Sequence, residues 1–251
     1  MPTALITGPT AGIGRAFANA YAERGFDLVL VSRDEVRLKT VAEDLSARHA
    51  VTCEVLPADL SDRDAVERVV ARIDDQSRPI DALVNNAGFG LNTWFGDTDF
   101  ADEERSLDVL VRAPLRLTHT AVKQMDRRGD GEIVNVSSVA GFLPRGTYGA
   151  HKAWLTSLSA WLNQTYRRRG VRVMALCPGF VRTEFHQRGN MNTRRIPGWM
   201  WLDADDLVAE ALHDLAAGKA ISVPSRRYRA LMTLARLTPR SLLTRVSRLG
   251  R

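Results

Sequence analysis

Short, unbroken apolar runs alternate with longer amphipathic stretches along most of the chain. "ALITG" is followed by a helical pattern through "IGRAFANAYAERG", and "FDLVLVSR" by the polar helix "DEVRLKTVAEDLSARH". "VTCEVLPADL", "RDAVERVVARID" and "IDALVNNAG" continue as strand, helix and strand. A long helical stretch from about Asp102 to Arg128 then leads into the strand of "GEIVNVSSVAG". Next come a helix opening with "GTYGAHKAWL", the strand "VRVMALCPG", the helix "ADDLVAEALHDLAAG" and a last strand "AISVP". Strands that are apolar throughout, rather than at every second residue, are buried on both faces, as in a parallel sheet. The strand–helix rhythm therefore predicts an α/β chain with a single doubly wound parallel sheet and helices on both faces.

Composition narrows the class. The 251 residues suffice for one full core, and 45% hydrophobic with 25% charged residues exclude disorder. The opening "MPTALITGPT" lacks the basic and apolar regions of a secretory signal, and no run approaches the ~18 apolar residues of a membrane span. The expectation is a cytoplasmic protein whose Cys53 and Cys177, without paired or metal spacing, stay reduced. His49, His119, His186 and His213 lack metal spacing, so no metal is expected, and the absence of G-x-S-x-G argues against a serine hydrolase. The net charge of +6 is uneven: residues 226–251 hold eight arginines and no acid, leaving −2 for the first 225 residues. A near-neutral body argues against nucleic-acid binding. The expected organisation is a catalytic body over 1–225, with a lid at about 184–202, and a basic amphipathic tail over 226–251.

The phosphate chemistry lies in "TGPTAGIG", Thr7 to Gly14, between the first strand and the first helix. Gly8, Gly12 and Gly14 permit positive φ and let backbone N–H groups approach a pyrophosphate, which the positive end of the following helix also attracts. At this position in a doubly wound, Rossmann-type sheet the loop points to a dinucleotide. Its T-G-x-x-x-G-x-G spacing resembles that of the classical short-chain dehydrogenases/reductases. The resemblance extends through "NNAG" at Asn85–Gly88, "VNVSS" ending at Ser138, Tyr148-x-x-x-Lys152 and "PGFVRT" from Pro178.

The second strand ends in "VSRDE", where NAD-binding folds place an acid about twenty residues past the glycines. Ser32 and Arg33 stand there instead, and a guanidinium suits a 2′-phosphate, so NADP(H) is favoured while NAD(H) stays admissible. Asp34 is a candidate helix cap. NADP-binding members of the family often carry a second basic residue before the middle glycine, where this chain has Ala11. The resemblance assigns cofactor contact to Thr7, Gly8, Thr10, Gly12, Ile13 and Gly14, to Ser32, Arg33, Asp59 and Leu60, and to Asn86, Ala87 and Gly88. It adds Tyr148, Lys152, Pro178, Gly179, Val181 and Thr183, the last orienting the nicotinamide carboxamide. Asp59 serves equally well as a helix cap.

By the same resemblance Tyr148 is the acid/base, Lys152 lowers its pKa and Ser138 holds the substrate oxygen. The spacing of four puts Tyr148 and Lys152 on one helical face. A free phenol near ~10 is a poor base at neutral pH, and a nearby ammonium favours its ionised form. Three departures from the family stand out. The Ser138–Tyr148 loop is short, which keeps Ser137 as a second candidate; Leu110 falls where an Asn is expected; and His151 precedes Lys152, with the helix surface as its expected place. The implied activity is NADPH-dependent interconversion of a carbonyl and an alcohol, with a hydrophobic ketone or ketoacyl-like substrate. A nucleotide-binding sensor or interaction protein with weak turnover is the alternative. Phe185, Met191, Trp199, Met200 and Trp201 either line an apolar pocket or pack the lid onto the body. The family implies a homo-oligomer, a dimer or tetramer. In the tail, Leu242 or Leu243, Val246 and Leu249 can share one face, suited either to peripheral contact with an anionic membrane or to packing on protein.

Overall fold

The structure is a computed structural model that describes residues 1–91, 93–144, 146–185 and 196–237. Strands β1 (Thr3–Thr7), β2 (Asp27–Ser32), β3 (Cys53–Pro57), β4 (Ala82–Asn85), β5 (Gly131–Val136), β6 (Val171–Leu176) and β9 (Ile221–Ser222) form one parallel sheet. Its order is β3-β2-β1-β4-β5-β6-β9. The apolar runs feed two cores because successive strand residues point to opposite faces. Ala4, Ile6, Leu28 and Leu30 enter the core under α1 (Gly12–Glu23), α2 (Glu35–His49) and α7 (Ala204–Ala216). Leu5, Val29, Val31 and Leu83 enter the other, under α3 (Arg63–Asp74), α5 (Ala113–Arg128) and α6 (Gly146–Tyr166). Both faces are thus covered, as the uninterrupted apolar strands require.

Three features go beyond the hydrophobic pattern. The long helix divides into α4 (Phe100–Leu107) and α5 around a π-turn at Asp108–Arg112, where the Ala113 N–H reaches back to Asp108 O. A second, two-stranded sheet pairs β7 (Phe180–Val181) with β8 (Trp201–Leu202) in parallel. The start of the basic tail, α8 (Arg226–Leu237), packs on the body through Tyr228 and Met232, which are buried. The Tyr228 ring fills the space above Gly179, where a Cβ would come within 2.0 Å of it. Its hydroxyl accepts from Phe180 N at 3.0 Å and donates to Met200 O at 2.8 Å, joining β7 to the turn before β8. Leu242, Leu243, Val246 and Leu249 lie outside the described residues.

Beneath the carboxyl ends of β4 and β5 runs a buried polar chain. Asn85 Nδ2 donates to Asn135 Oδ1 at 2.8 Å and to Thr118 Oγ1 at 3.0 Å, and Asn135 Nδ2 donates to Ser159 Oγ at 2.9 Å. An unpaired buried polar group costs roughly 1–3 kcal/mol. Asn135→Leu strips partners from both Asn85 and Ser159, so a loss of about 2–4 kcal/mol is expected in denaturant unfolding. A loss below about 1 kcal/mol would mean that the neighbours re-pair.

Candidate active site

All the strands of the main sheet run the same way, so the loops that follow β1, β4, β5 and β6 emerge on one edge. That edge collects the glycine loop, Asn85–Gly88, Ser137–Ser138 and Pro178–Thr183. The strand order reverses between β1 and β4, and the crevice at such a reversal is where open α/β sheets take ligands.

The glycine loop has the shape a dinucleotide needs. Gly8 and Gly12 take φ of +68° and +55°, a region that disfavours a side chain. A Cβ on Gly14 would lie 2.1 Å from Gly8 O, so only hydrogen lets the loop close on α1. Asn86 Nδ2 donates to Thr7 O at 2.9 Å and Gly8 O at 3.0 Å, and Thr7 Oγ1 accepts from the N–H groups of Asn86 and Ala87. Thr183 packs its methyl where a Gly12 Cβ would stand, 2.5 Å away. Ser32 Oγ is buried at the end of β2 with no hydrogen-bond partner among the described residues, an orphaned polar atom at the strand end where such folds take a ribose hydroxyl. These residues fit the group.

Around it, Asp34 caps α2 by accepting from Arg37 N at 3.0 Å, which accounts for the acid after Arg33. Arg33 pairs with Asp59 at 3.8 Å. Asp59 also accepts from Ser61 N at 2.9 Å and Ser61 Oγ at 2.7 Å, so it closes the turn before α3. Partial burial works against its charge, but these bonds and Arg33 prevail and hold the carboxyl below the usual range. Leu60 and Val181 are buried, Ile13 packs on the first core, and Pro178 O accepts from Val139 N at 3.0 Å. One residue that no spacing rule singles out joins this group: Arg37 donates to Thr10 O at 3.4 Å and pairs with Glu184 at 3.0 Å.

The structure separates the two serines. Ser137 is buried, and its hydroxyl donates to Lys152 O at 2.7 Å with Thr156 Oγ1 also at 2.7 Å, so it ties β5 to α6. Ser138 heads the 3-10 turn Val139–Phe142, accepts from Ala140 N at 3.1 Å and comes close enough to the Tyr148 hydroxyl to favour its ionised form. The short loop therefore still brings Ser138 to Tyr148. Lys152 Nζ lies 5.6 Å from the centre of the Tyr148 ring and donates to Val136 O at 2.7 Å.

Burial pushes the Tyr148 phenol up to about 12, against the opposing hydrogen bond with Ser138, and pushes the Lys152 ammonium down to about 8. Before any ligand arrives, then, the phenol is a held proton rather than a phenolate. Leu110 is buried in the π-turn, and a Cβ on Gly88 would meet its Cδ2 at 2.8 Å and Lys152 Nζ at 3.9 Å. The leucine thus supplies an apolar wall beside the lysine where an amide was expected. His151 is half-buried rather than out on the helix surface: Ser106 Oγ lies 3.4 Å from its Nδ1, and burial lowers its pKa. The aromatics expected in the lid divide. Phe185 faces Tyr148 with ring centres 5.9 Å apart, Trp201 packs on Phe180 at 5.8 Å, and Trp199 is exposed. Met191 lies outside the described residues.

A family profile described as short chain dehydrogenase matches residues 2–193. "Sulfoacetaldehyde reductase 2" of Chromohalobacter salexigens is 35% identical over 216 residues, 84% of this chain and 85% of that protein. A solved short-chain dehydrogenase from Sphingobium yanoikuyae in complex with NADPH superposes with a TM-score of 0.86 at 34% identity, covering 94% of each chain. The bulky-bulky ketone specific alcohol dehydrogenase from Comamonas testosteroni gives 0.81 at 32% identity, covering 94% of this chain and 92% of that one. With the profile spanning most of its length and the strand-end motifs gathered on one edge, this chain belongs to the short chain dehydrogenase family and is an NAD(P)-dependent oxidoreductase.

Proposed function

We propose that the protein is an NADPH-dependent reductase of apolar ketones or ketoacyl-like carbonyls, with Tyr148 as proton donor, Ser138 as the hydrogen bond to the substrate oxygen, and Lys152 as the charge that assists them. The observation that carries this reading is the half-buried Tyr148 with the Ser138 hydroxyl close to its own and Lys152 Nζ 5.6 Å from its ring, on the edge that holds the glycine loop. The bound nicotinamide would supply the hydride. Tyr148 would give its proton to the carbonyl oxygen as negative charge gathers there, and Ser138 would donate to the same atom. Burial favours this direction, since a phenol near 12 in the resting enzyme is protonated throughout the neutral range.

The Phe185 ring beside Tyr148 supports an apolar substrate, and the Comamonas relative, named for bulky ketones, points the same way. NADPH is supported by Arg33 at the end of β2 and by the Sphingobium relative in complex with NADPH. The test is NADPH oxidation by the pure protein against a panel of apolar ketones and aldehydes. NADPH binding with every panel member left untouched would count against the apolar-carbonyl reading and favour a binding protein.

A pH dependence follows. Lys152 is charged below about 8 and neutral above, whereas Tyr148 keeps its proton across that range. Reductive kcat/KM should therefore be level at neutral pH and fall as pH rises through about 8, because the ammonium charge is lost. Alcohol oxidation, which needs the phenolate, should instead gain toward alkaline pH. A reductive profile that climbed across that window would reject the assigned role of Lys152.

A further inference from the structure

Arg37 and Glu184 lie 147 positions apart, yet they meet over the glycine loop. The Arg37 guanidinium donates to both Glu184 carboxylate oxygens, at 3.0 and 3.3 Å, and to Thr10 O at 3.4 Å. Its partner is placed just as firmly: Glu184 follows Thr183, whose methyl rests against Gly12. Ala11, between Thr10 and Gly12, is where a second basic residue would be sought in an NADP-binding loop. The structure brings a guanidinium to that loop from α2 instead.

We propose that Arg37 is a reserve ligand for the 2′-phosphate of the cofactor and that Glu184 is its internal stand-in, so that the Glu184 carboxylate sets the preference for NADPH over NADH. The proposal rests on the NADPH reading above. Both side chains are partly exposed, Arg37 at 42% and Glu184 at 43%, so solvent weakens their attraction and the pair is easily exchanged. A phosphate dianion is the stronger partner for a guanidinium fork, which binds it through paired charge-assisted hydrogen bonds. Arg37 can thus leave Glu184 for a phosphate at small cost, while a cofactor without that phosphate offers nothing to exchange. Arg33, four residues earlier, is held by Asp59 in the same manner. The Arg37–Glu184 bridge differs in lying over the glycine loop itself, where Arg37 also reaches Thr10 O, so a carboxylate there competes directly at the loop.

The two partners should have opposite effects on binding, which a purely structural ion pair cannot produce. Dissociation constants for NADPH and NADH, read by cofactor fluorescence without substrate, would be compared in the wild type, Glu184→Gln, Arg37→Gln and the double variant. Glu184→Gln should tighten NADPH about twofold to fivefold, since it removes a competing carboxylate. Arg37→Gln should weaken NADPH about tenfold. Both should leave NADH nearly unchanged, which also serves as the check on folding. In the Arg37→Gln background the second substitution should bring no gain.

Weaker or unchanged NADPH binding in Glu184→Gln would overturn the proposal. So would an equal shift for NADH, or a gain that persists without Arg37, because each would mean a general charge effect. A wild type that bound NADH but not NADPH would overturn the cofactor reading itself. NADPH binding by the wild type that Glu184→Gln left unchanged would overturn this proposal and leave the cofactor reading standing.

Discussion

Tyr148→Phe is expected to remove reduction of any accepted carbonyl while leaving NADPH binding close to that of the wild type. The expected loss is about 10²–10⁴-fold in turnover, the range that a positioned proton donor contributes. The substitution keeps the ring, and with it the contacts to Phe185 and Lys152, so it deletes the proton and little else. Among the described residues the obvious substitute is Ser138, whose hydroxyl is a far weaker acid than a phenol and already accepts from Ala140 N. Single-turnover NADPH oxidation measures the step directly. A variant retaining more than about a tenth of the rate would place the proton donor elsewhere or show that chemistry does not limit turnover.

Gly14→Ala should abolish cofactor binding rather than chemistry. The added Cβ would stand 2.1 Å from Gly8 O and 2.4 Å from Asn86 Nδ2, the two groups that close the loop through their own hydrogen bond at 3.0 Å. Neither the backbone oxygen nor the anchored amide can move without carrying the loop away from its place. Losing two or three hydrogen bonds to phosphate, at about 1.5–3 kcal/mol each, predicts binding weakened by more than ~100-fold. The control is Gly25→Ala, at φ +78° with nothing within 4 Å of the new Cβ. There the cost is backbone strain alone, about 1–2 kcal/mol, seen as a lower melting temperature with binding intact. Equal binding losses in the two variants would mean that general destabilisation, not the cradle, is responsible.

Much of this site is legible in the chain because its signals are local. The glycine positions, the helix spacing that joins Tyr148 to Lys152, and the strand ends that carry Asn86 and Pro178 each depend on short stretches whose geometry follows from the element they sit in. A parallel sheet then brings every such strand end to one edge, so order along the chain becomes proximity in space. The cap at Asp34 is equally local: it binds Arg37 N three residues on.

Spacing does not decide between neighbours with the same chemistry. Ser137 and Ser138 look equivalent in "VNVSS", and only the packing of α6 against β5 turns one hydroxyl to Lys152 O and the other to Tyr148. Leu110 likewise reads as a lost amide, but the π-turn and its contact with Gly88 make it a wall beside the ammonium. The state of Tyr148 is also invisible in "YGAHK". The pattern suggests a phenol eased toward ionisation by lysine, whereas burial raises the phenol and lowers the ammonium.

The sequence by itself determined the order of the elements, the glycine loop after the first strand and the placing of Tyr148 and Lys152 on one helical face, because hydrophobic periodicity and i, i+4 spacing act over a few residues. Only the tertiary structure decided which serine meets the tyrosine, how burial sets the proton, and that Arg37 reaches Glu184 across the glycine loop. Those outcomes depend on desolvation and on contacts between distant segments, which exist only once the two faces of the sheet are covered.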